Sequence, residues 1–346
     1  MPEQSPAVYD AIMVVSFGGP EGPDDVIPFL ENVLRRRNVP RERMLEVAEH
    51  YQHFGGKSPI NAQNRALISA LDAELKQNGP RIPVYWGNRN WNPLLTDTLR
   101  QMARDGVKHA LAFVTSAYSS YSSCRQYLGN IARARENVGP NAPVVDKLRA
   151  FYNHPGFIGP VTENARAALV TLEGDSPGEP VELVFTAHSI PVSMAANCRY
   201  VEQLEESSRL VAEQLGYTSW KLVYQSRSGP PSQPWLEPDI RDCLRNLHDS
   251  GRAGKVLVVP IGFVSDHLEV LYDLDTEAKQ LCDQLGLRMA RSATAGNNPG
   301  FVRMIRELVL ERIEKNANRR ALGSLGPSHD QCPVDCCPAP LRRAGP

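Results

Sequence analysis

A histidine just past the end of a strand is well placed to act as a base or a metal ligand. The run Thr186-Ala187-His188-Ser189-Ile190-Pro191 puts one there. A hydrogen-bonded structural histidine suits the same place. A second loop runs from Tyr224 through Gln225-Ser226-Arg227-Ser228-Gly229-Pro230-Pro231 to Trp235 and Pro238. Its prolines and glycine make it rigid, and it offers aromatic surface and polar donors together. It also reads as a long connector around a structural tryptophan. A third run, Pro260 to Glu277, carries Glu269, Asp273 and Glu277 at every fourth residue, one face of an α-helix. Like charges at that spacing cost the helix about 0.2–0.5 kcal/mol per pair. Such carboxylates hold divalent cations or pass protons. A solvated acidic face near a helix N-terminus is the other reading.

Cysteine is the odd feature of the composition. Cys124, Cys198, Cys243 and Cys282 are scattered, while Cys332, Cys336 and Cys337 crowd into six residues. Three soft donors at that spacing fit tetrahedral zinc or an iron–sulfur cluster with four thiolates. Either centre needs a fourth ligand from the body of the chain. Cys198, Cys243 and Cys282 fall in helical patterns and read as core residues.

The elements that position these groups alternate. Apolar runs at Ala11 to Ser16, Val84 to Trp86, Ala110 to Thr115 and Val144 to Leu148 read as strands. Leu183 to Thr186, Lys221 to Tyr224, Val256 to Pro260 and Arg288 to Arg291 repeat the pattern. Helices are expected at Pro28 to Arg37, Glu42 to His53 and Asn61 to Gln77, and at about 197–215, 238–249, 267–286 and 300–317. Repeated strand–helix units imply α/β architecture: two similar domains, each a parallel sheet flanked by helices. The change falls near 165–178, with a surface turn at Gly174 to Pro180. This gives expected units of 8–165 and 166–320, followed by a tail, 321–346, rich in glycine, proline and cysteine. Alone the tail cannot fold; it is either tied down or disordered. In such folds ligands sit beyond the carboxyl ends of the strands, where all three loops lie.

The bulk numbers exclude several classes. The chain has 346 residues, 42% hydrophobic, with 38 basic and 39 acidic side chains and a net charge of -1. That argues against a nucleic-acid binder driven by charge. No apolar run approaches the ~20 residues of a membrane span; Val256 to Val264 is short and broken by Pro260. The N-terminal residues are polar, so a cytoplasmic protein with unpaired cysteines is expected. Gly18-Gly19-Pro20-Glu21-Gly22 does not match a dinucleotide fingerprint.

Five motifs together resemble the ferrochelatases. They are S-F-G-G-P at Ser16 to Pro20, H-F-G-G-K-S-P-I at His53 to Ile60, T-A-H-S-I-P at Thr186 to Pro191, Y-Q-S-R-S-G-P at Tyr224 to Pro230, and the run Pro260 to Asp275. The similarity extends over roughly residues 8–317. Tyr118 to Tyr127 and Gly87 to Pro93 look closest to the actinobacterial branch, which implies coproporphyrin III rather than protoporphyrin IX as substrate. The resemblance implies two Rossmann-like, chelatase-type domains with a porphyrin bent in the cleft between them. His188 and Glu269 would bind Fe²⁺ or take pyrrole protons, with Asp273 and Glu277 as a metal or proton path. It also implies a wider π-type turn at the start of that helix. Ser58 and Tyr127 match porphyrin-contacting positions. Phe17 stands where some members carry a ligating tyrosine and offers no ligating atom. Arg35, with Arg36 and Arg37, is a candidate for pairing with propionates. Some members carry a [2Fe–2S] cluster on three C-terminal cysteines and one internal cysteine, which implies Cys332, Cys336, Cys337 and Cys124 here. A protoporphyrin enzyme, a porphyrin carrier without turnover and a redox protein centred on the cysteines are the competing readings.

Overall fold

The computed structural model describes residues 9–35, 39–174, 178–229, 232–251 and 254–339. Val8, Arg36, Arg37, Asp175, Ser176, Pro177, Pro230, Pro231 and the end of the tail lie outside the described residues. Eight strands form two parallel sheets. The first holds β1 (Ala11–Ser16), β2 (Val84–Asn88), β3 (His109–Val114) and β4 (Val144–Lys147) in the order β2-β1-β3-β4. The second holds β5 (Val181–His188), β6 (Lys221–Gln225), β7 (Lys255–Val259) and β8 (Arg288–Arg291) in the order β6-β5-β7-β8. The two orders are the same, so the halves share a topology that no residue-level repeat in the sequence records. β1 and β7 are buried at every position because helices cover both faces of each sheet, and their sequences are accordingly near-continuous apolar runs.

One apolar core runs through both halves. Ile12, Val14 and Phe113 of the first sheet share it with Leu183, Phe185 and Leu257 of the second. The helix Pro155–Glu173 passes through the expected dividing line at 165/166. The last long helix, Pro299–Ile313, sends Phe301 into the same core, 6.1 Å from the Phe113 ring. Arg149 ties that helix down, with Nε 2.6 Å and Nη2 2.8 Å from the two Glu311 carboxylate oxygens. Both side chains are nearly fully buried, so loss of one partner would strand a charge.

The tail is tied down. Leu322 exchanges hydrogen bonds with Asn153, whose Nδ2 also reaches the Gly326 carbonyl at 2.9 Å. Arg319 Nη2 donates to the Ser328 carbonyl at 2.6 Å and pairs with Asp330 at 3.3 Å. No described helix is long and apolar enough to cross a membrane.

Candidate active site

Each half contributes its strand ends to one site. His188 is the last residue of β5. Its backbone carbonyl accepts from Tyr200 Oη at 3.0 Å, which fixes the turn that follows. Its Nδ1 is 2.5 Å from the Ser189 carbonyl. A carbonyl only accepts, so Nδ1 carries the hydrogen, and in the neutral form of the ring the lone pair is at Nε2. That atom faces Glu269 Oε1 at 3.7 Å. Both side chains remain partly exposed, at 32% and 45%, so the space around them is open to a ligand.

Glu269 is held by the helix start. His267 Nδ1 accepts from the Glu269 N–H at 3.2 Å and caps the turn. Burial lowers the His267 pKa and keeps the ring neutral, as a cap acceptor must be. After Leu268–Val270 the backbone widens into a π-helix, Leu271–Ala278, before resuming as Lys279–Leu285. An α-helical face drawn at every fourth residue therefore describes the row only loosely. Gly262 lets this loop approach the histidine loop: a Cβ there would stand 2.6 Å from Ala187 Cβ.

Asp273 is the most perturbed carboxylate here. Burial pushes its pKa up to about 7, opposed by Ser226 and His188 and reinforced by Glu269 and Glu277. Ser226 Oγ donates to its carboxylate, and Gln225 Nε2 lies 3.4 Å from it and 3.0 Å from the Glu269 carbonyl. Ser226 adopts a left-handed backbone at φ 61°, a conformation a serine holds only when its surroundings enforce it. Glu277 ends the row within 3.5 Å of Arg241. A raised acid pKa makes the protonated form the folded-state preference. Wild-type stability should thus fall relative to Asp273→Asn as pH rises from about 4 to about 7, and the gap should level off above that. Thermal melts of both proteins across that range check this; a constant gap would contradict it.

The first half supplies an edge-packed aromatic cluster around the buried Phe29. Phe17, Tyr51 and Trp91 surround Phe29 with ring centroids 6.2, 5.7 and 6.1 Å away. Tyr51 reaches far enough to feel the Glu269 charge, which adds to burial in raising its pKa. His50 stacks on Tyr272 of the π-helix at 3.7 Å, and Gln63 Oε1 accepts from the Asp266 N–H at 2.8 Å, so the halves meet beside the site. Ser58 is buried against Gly19, where a Cβ would stand 2.7 Å from its own Cβ. Tyr127 is buried beneath the Arg89 guanidinium, 4.5 Å from its ring centroid. Arg35 is exposed at its helix end, where its guanidinium bonds Asn32 at 2.8 Å. Arg36 and Arg37 lie outside the described residues.

Sequence reasoning missed Arg89, Tyr51, His267 and Ser226. Arg89 was visible in the Gly87 to Pro93 loop and Ser226 in the second loop, but their roles depend on tertiary contacts. Arg89 lies between the rings of Phe17, at 5.6 Å, and Tyr127, and has no carboxylate within 4 Å among the described residues. Trp235 of the second loop is buried against Gly229 and offers no open stacking face.

The cysteines gather as two pairs. Cys124 Sγ is 4.0 Å from Cys332 Sγ, and Cys336 Sγ is 3.6 Å from Cys337 Sγ. The Cys124 and Cys332 sulfurs share a hydrogen bond, which with Lys147 lowers the pKa of Cys124 and raises that of Cys332. Thiolate is the ligating form. Cys243 and Cys282 are buried core residues. Cys198 packs half-buried against the main core as expected, but it lies in the bend before the helix Tyr200–Leu215 rather than in a helix, and feels the charge of Cys336.

Comparison with known proteins agrees with this architecture. The family model described as Ferrochelatase matches residues 9–313, so the cysteine tail lies beyond it. The chain is 60% identical to a protein of Rhodopirellula baltica named ferrochelatase, over 95% of this chain and 93% of that one. It is 51% identical to one of Streptomyces griseus named coproporphyrin III ferrochelatase, over 97% and 95%. In fold it resembles SirB from Bacillus subtilis, solved with Fe³⁺, at a TM-score of 0.55 and 11% identity over 90% of this chain and all of that one. The family match runs through both sheets and through all three loops that carry His188, Ser226 and Glu269, so the chain belongs to the ferrochelatase family.

Proposed function

We propose that this chain inserts Fe²⁺ into coproporphyrin III, releasing two protons, in a cleft between units 8–165 and 166–320, in the cytoplasm. The observation that carries the reading is His188 Nε2 held 3.7 Å from the Glu269 carboxylate. Insertion breaks two pyrrole N–H bonds, and the freed nitrogen lone pairs bind the incoming Fe²⁺. Two proton acceptors on one open site meet that demand. His188 Nε2 takes one proton and Glu269 the other. Asp273, near half-ionised at neutral pH, relays protons from Glu269 towards Glu277 and the surface. The accessible rings of Phe17 and Trp91, packed on the buried Phe29, receive the macrocycle. Phe17 has no donor atom, so no ligand to the product iron comes from its position.

Coproporphyrin carries four propionates and protoporphyrin two. Arg89 pairs with one of them, because it is a guanidinium without a carboxylate partner beside these rings. Ser58 and Tyr127 lie on the same half and join it. Arg35 pairs with a second propionate. Arg89→Ala should raise KM for coproporphyrin by about tenfold to a hundredfold while kcat changes little. A fall in kcat with unchanged KM would remove Arg89 from substrate binding. The substrate assignment itself rests on the named relatives. Anaerobic assays with Fe²⁺ should give a kcat/KM at least about tenfold higher for coproporphyrin III than for protoporphyrin IX. The reverse preference would make this a protoporphyrin enzyme.

The tail, 321–346, holds a [2Fe–2S] cluster on Cys124, Cys332, Cys336 and Cys337. Tetrahedral thiolate sites with bonds near 2.3 Å place sulfurs about 3.8 Å apart, which both pairs match. Cys124 and Cys332 would hold one iron, and Cys336 and Cys337 the other. When bound, the group supplies one-electron chemistry and folding energy for the tail.

A further inference from the structure

His329 stands in the same corner as these cysteines, and the cluster does not use it. Its Nε2 lies 3.8 Å from Cys336 Sγ, and the ligating atoms of His329, Cys332 and Cys336 all fall within 4.8 Å of one another. The segment that carries them is fixed by the body before any ion arrives. Arg125 Nη2 donates to the carbonyls of Pro333, at 2.9 Å, and Val334, while its Nε reaches the Cys336 carbonyl at 3.2 Å. The Cys336 N–H closes a turn onto the Pro333 carbonyl at 3.0 Å. On the other side Arg319 holds both neighbours of His329, Ser328 and Asp330. His329 is exposed and the two cysteines half-buried, so a cation reaches all three from solvent. Imidazole and two thiolates are the donors that zinc and related cations select.

We propose that His329, Cys332 and Cys336 form a site for a single thiophilic divalent cation, with solvent completing the tetrahedron. It shares Cys332 and Cys336 with the cluster read above but uses His329 in place of Cys337 and Cys124. The two occupancies therefore exclude one another, and zinc in this site blocks cluster assembly.

The test is anaerobic titration of the full-length apoprotein with Co²⁺ alone. Wild type should bind one equivalent, with thiolate charge-transfer absorption and the intense d–d bands of a tetrahedral site. His329→Ala should weaken that binding by at least about tenfold, whereas Cys337→Ser should change it by less than about twofold. His329 is exposed, so its replacement leaves packing intact. Wild type preloaded with one equivalent of Zn²⁺ should fail to form a coloured cluster on addition of iron and sulfide. Equal Co²⁺ affinity in His329→Ala and wild type would overturn the site, as would an equal loss in Cys337→Ser. A cluster that forms normally beside either result would leave the four-cysteine reading standing. An intact Co²⁺ site with no cluster would overturn that reading alone.

Discussion

Glu269→Gln is expected to lower kcat for Fe²⁺ insertion by about 10²- to 10⁴-fold, the range associated with loss of a positioned acid–base group. Glutamine keeps the shape and can still hydrogen-bond, so the loss isolates the charge and the proton acceptor. The Glu269 backbone is capped by His267 and bound by Gln225 through its carbonyl, so the substitution leaves the helix start in place. KM for porphyrin should change little, because the aromatic cluster and Arg89 belong to the other half. Steady-state kinetics under anaerobic conditions check this. A variant that retains wild-type kcat would remove Glu269 from the chemistry and leave His188 without its partner at 3.7 Å.

Cys124→Ser is the second large effect. Cys124 is a buried donor that the body contributes to the cysteine corner, and its contacts with Cys332 and Lys147 lower its pKa. Hydroxyl in its place leaves three thiolates and breaks one of the two pairs. The purified variant should lose the visible absorption and nearly all of its bound iron and sulfide. Arg125, Asn153 and Arg319 still contact the tail, so the two sheets should melt close to the wild-type temperature. Cys198→Ser, Cys243→Ser and Cys282→Ser should all keep the colour. Cys198 is the demanding control, since it lies near enough to sense Cys336. A coloured Cys124→Ser protein would mean that another residue supplies the fourth ligand. A colourless wild type carrying stoichiometric zinc would replace the cluster with a zinc centre.

The sheets were legible because burial on both faces leaves a plain mark: β1 and β7 are near-continuous apolar runs. His188 was legible because it follows such a run directly. The acidic row was readable as a set but not as a geometry, since periodicity does not tell where a helix will widen, and the π-helix Leu271–Ala278 sets where its side chains point. The course of the tail was hidden because its hydrogen bonds go to Asn153, Arg319 and Arg125, which are distant in sequence or carry no pattern. Arg89 was hidden for a similar reason: its position between Phe17 and Tyr127 is made by two loops that meet only in the fold. His329 did leave a trace, a histidine three residues before Cys332 and seven before Cys336, a spacing suited to a metal site. The helical reading of Cys198 failed because its helix starts two residues later, at Tyr200.

Anaerobic insertion of Fe²⁺ into coproporphyrin III by the wild-type protein, run beside His188→Ala, tests the chemistry of the cleft most directly. The predicted result is metalloporphyrin formed with turnover by wild type and a rate for His188→Ala close to the uncatalysed one. Wild type that binds the porphyrin tightly yet forms no metalloporphyrin would contradict it, and would make the cleft a carrier's pocket.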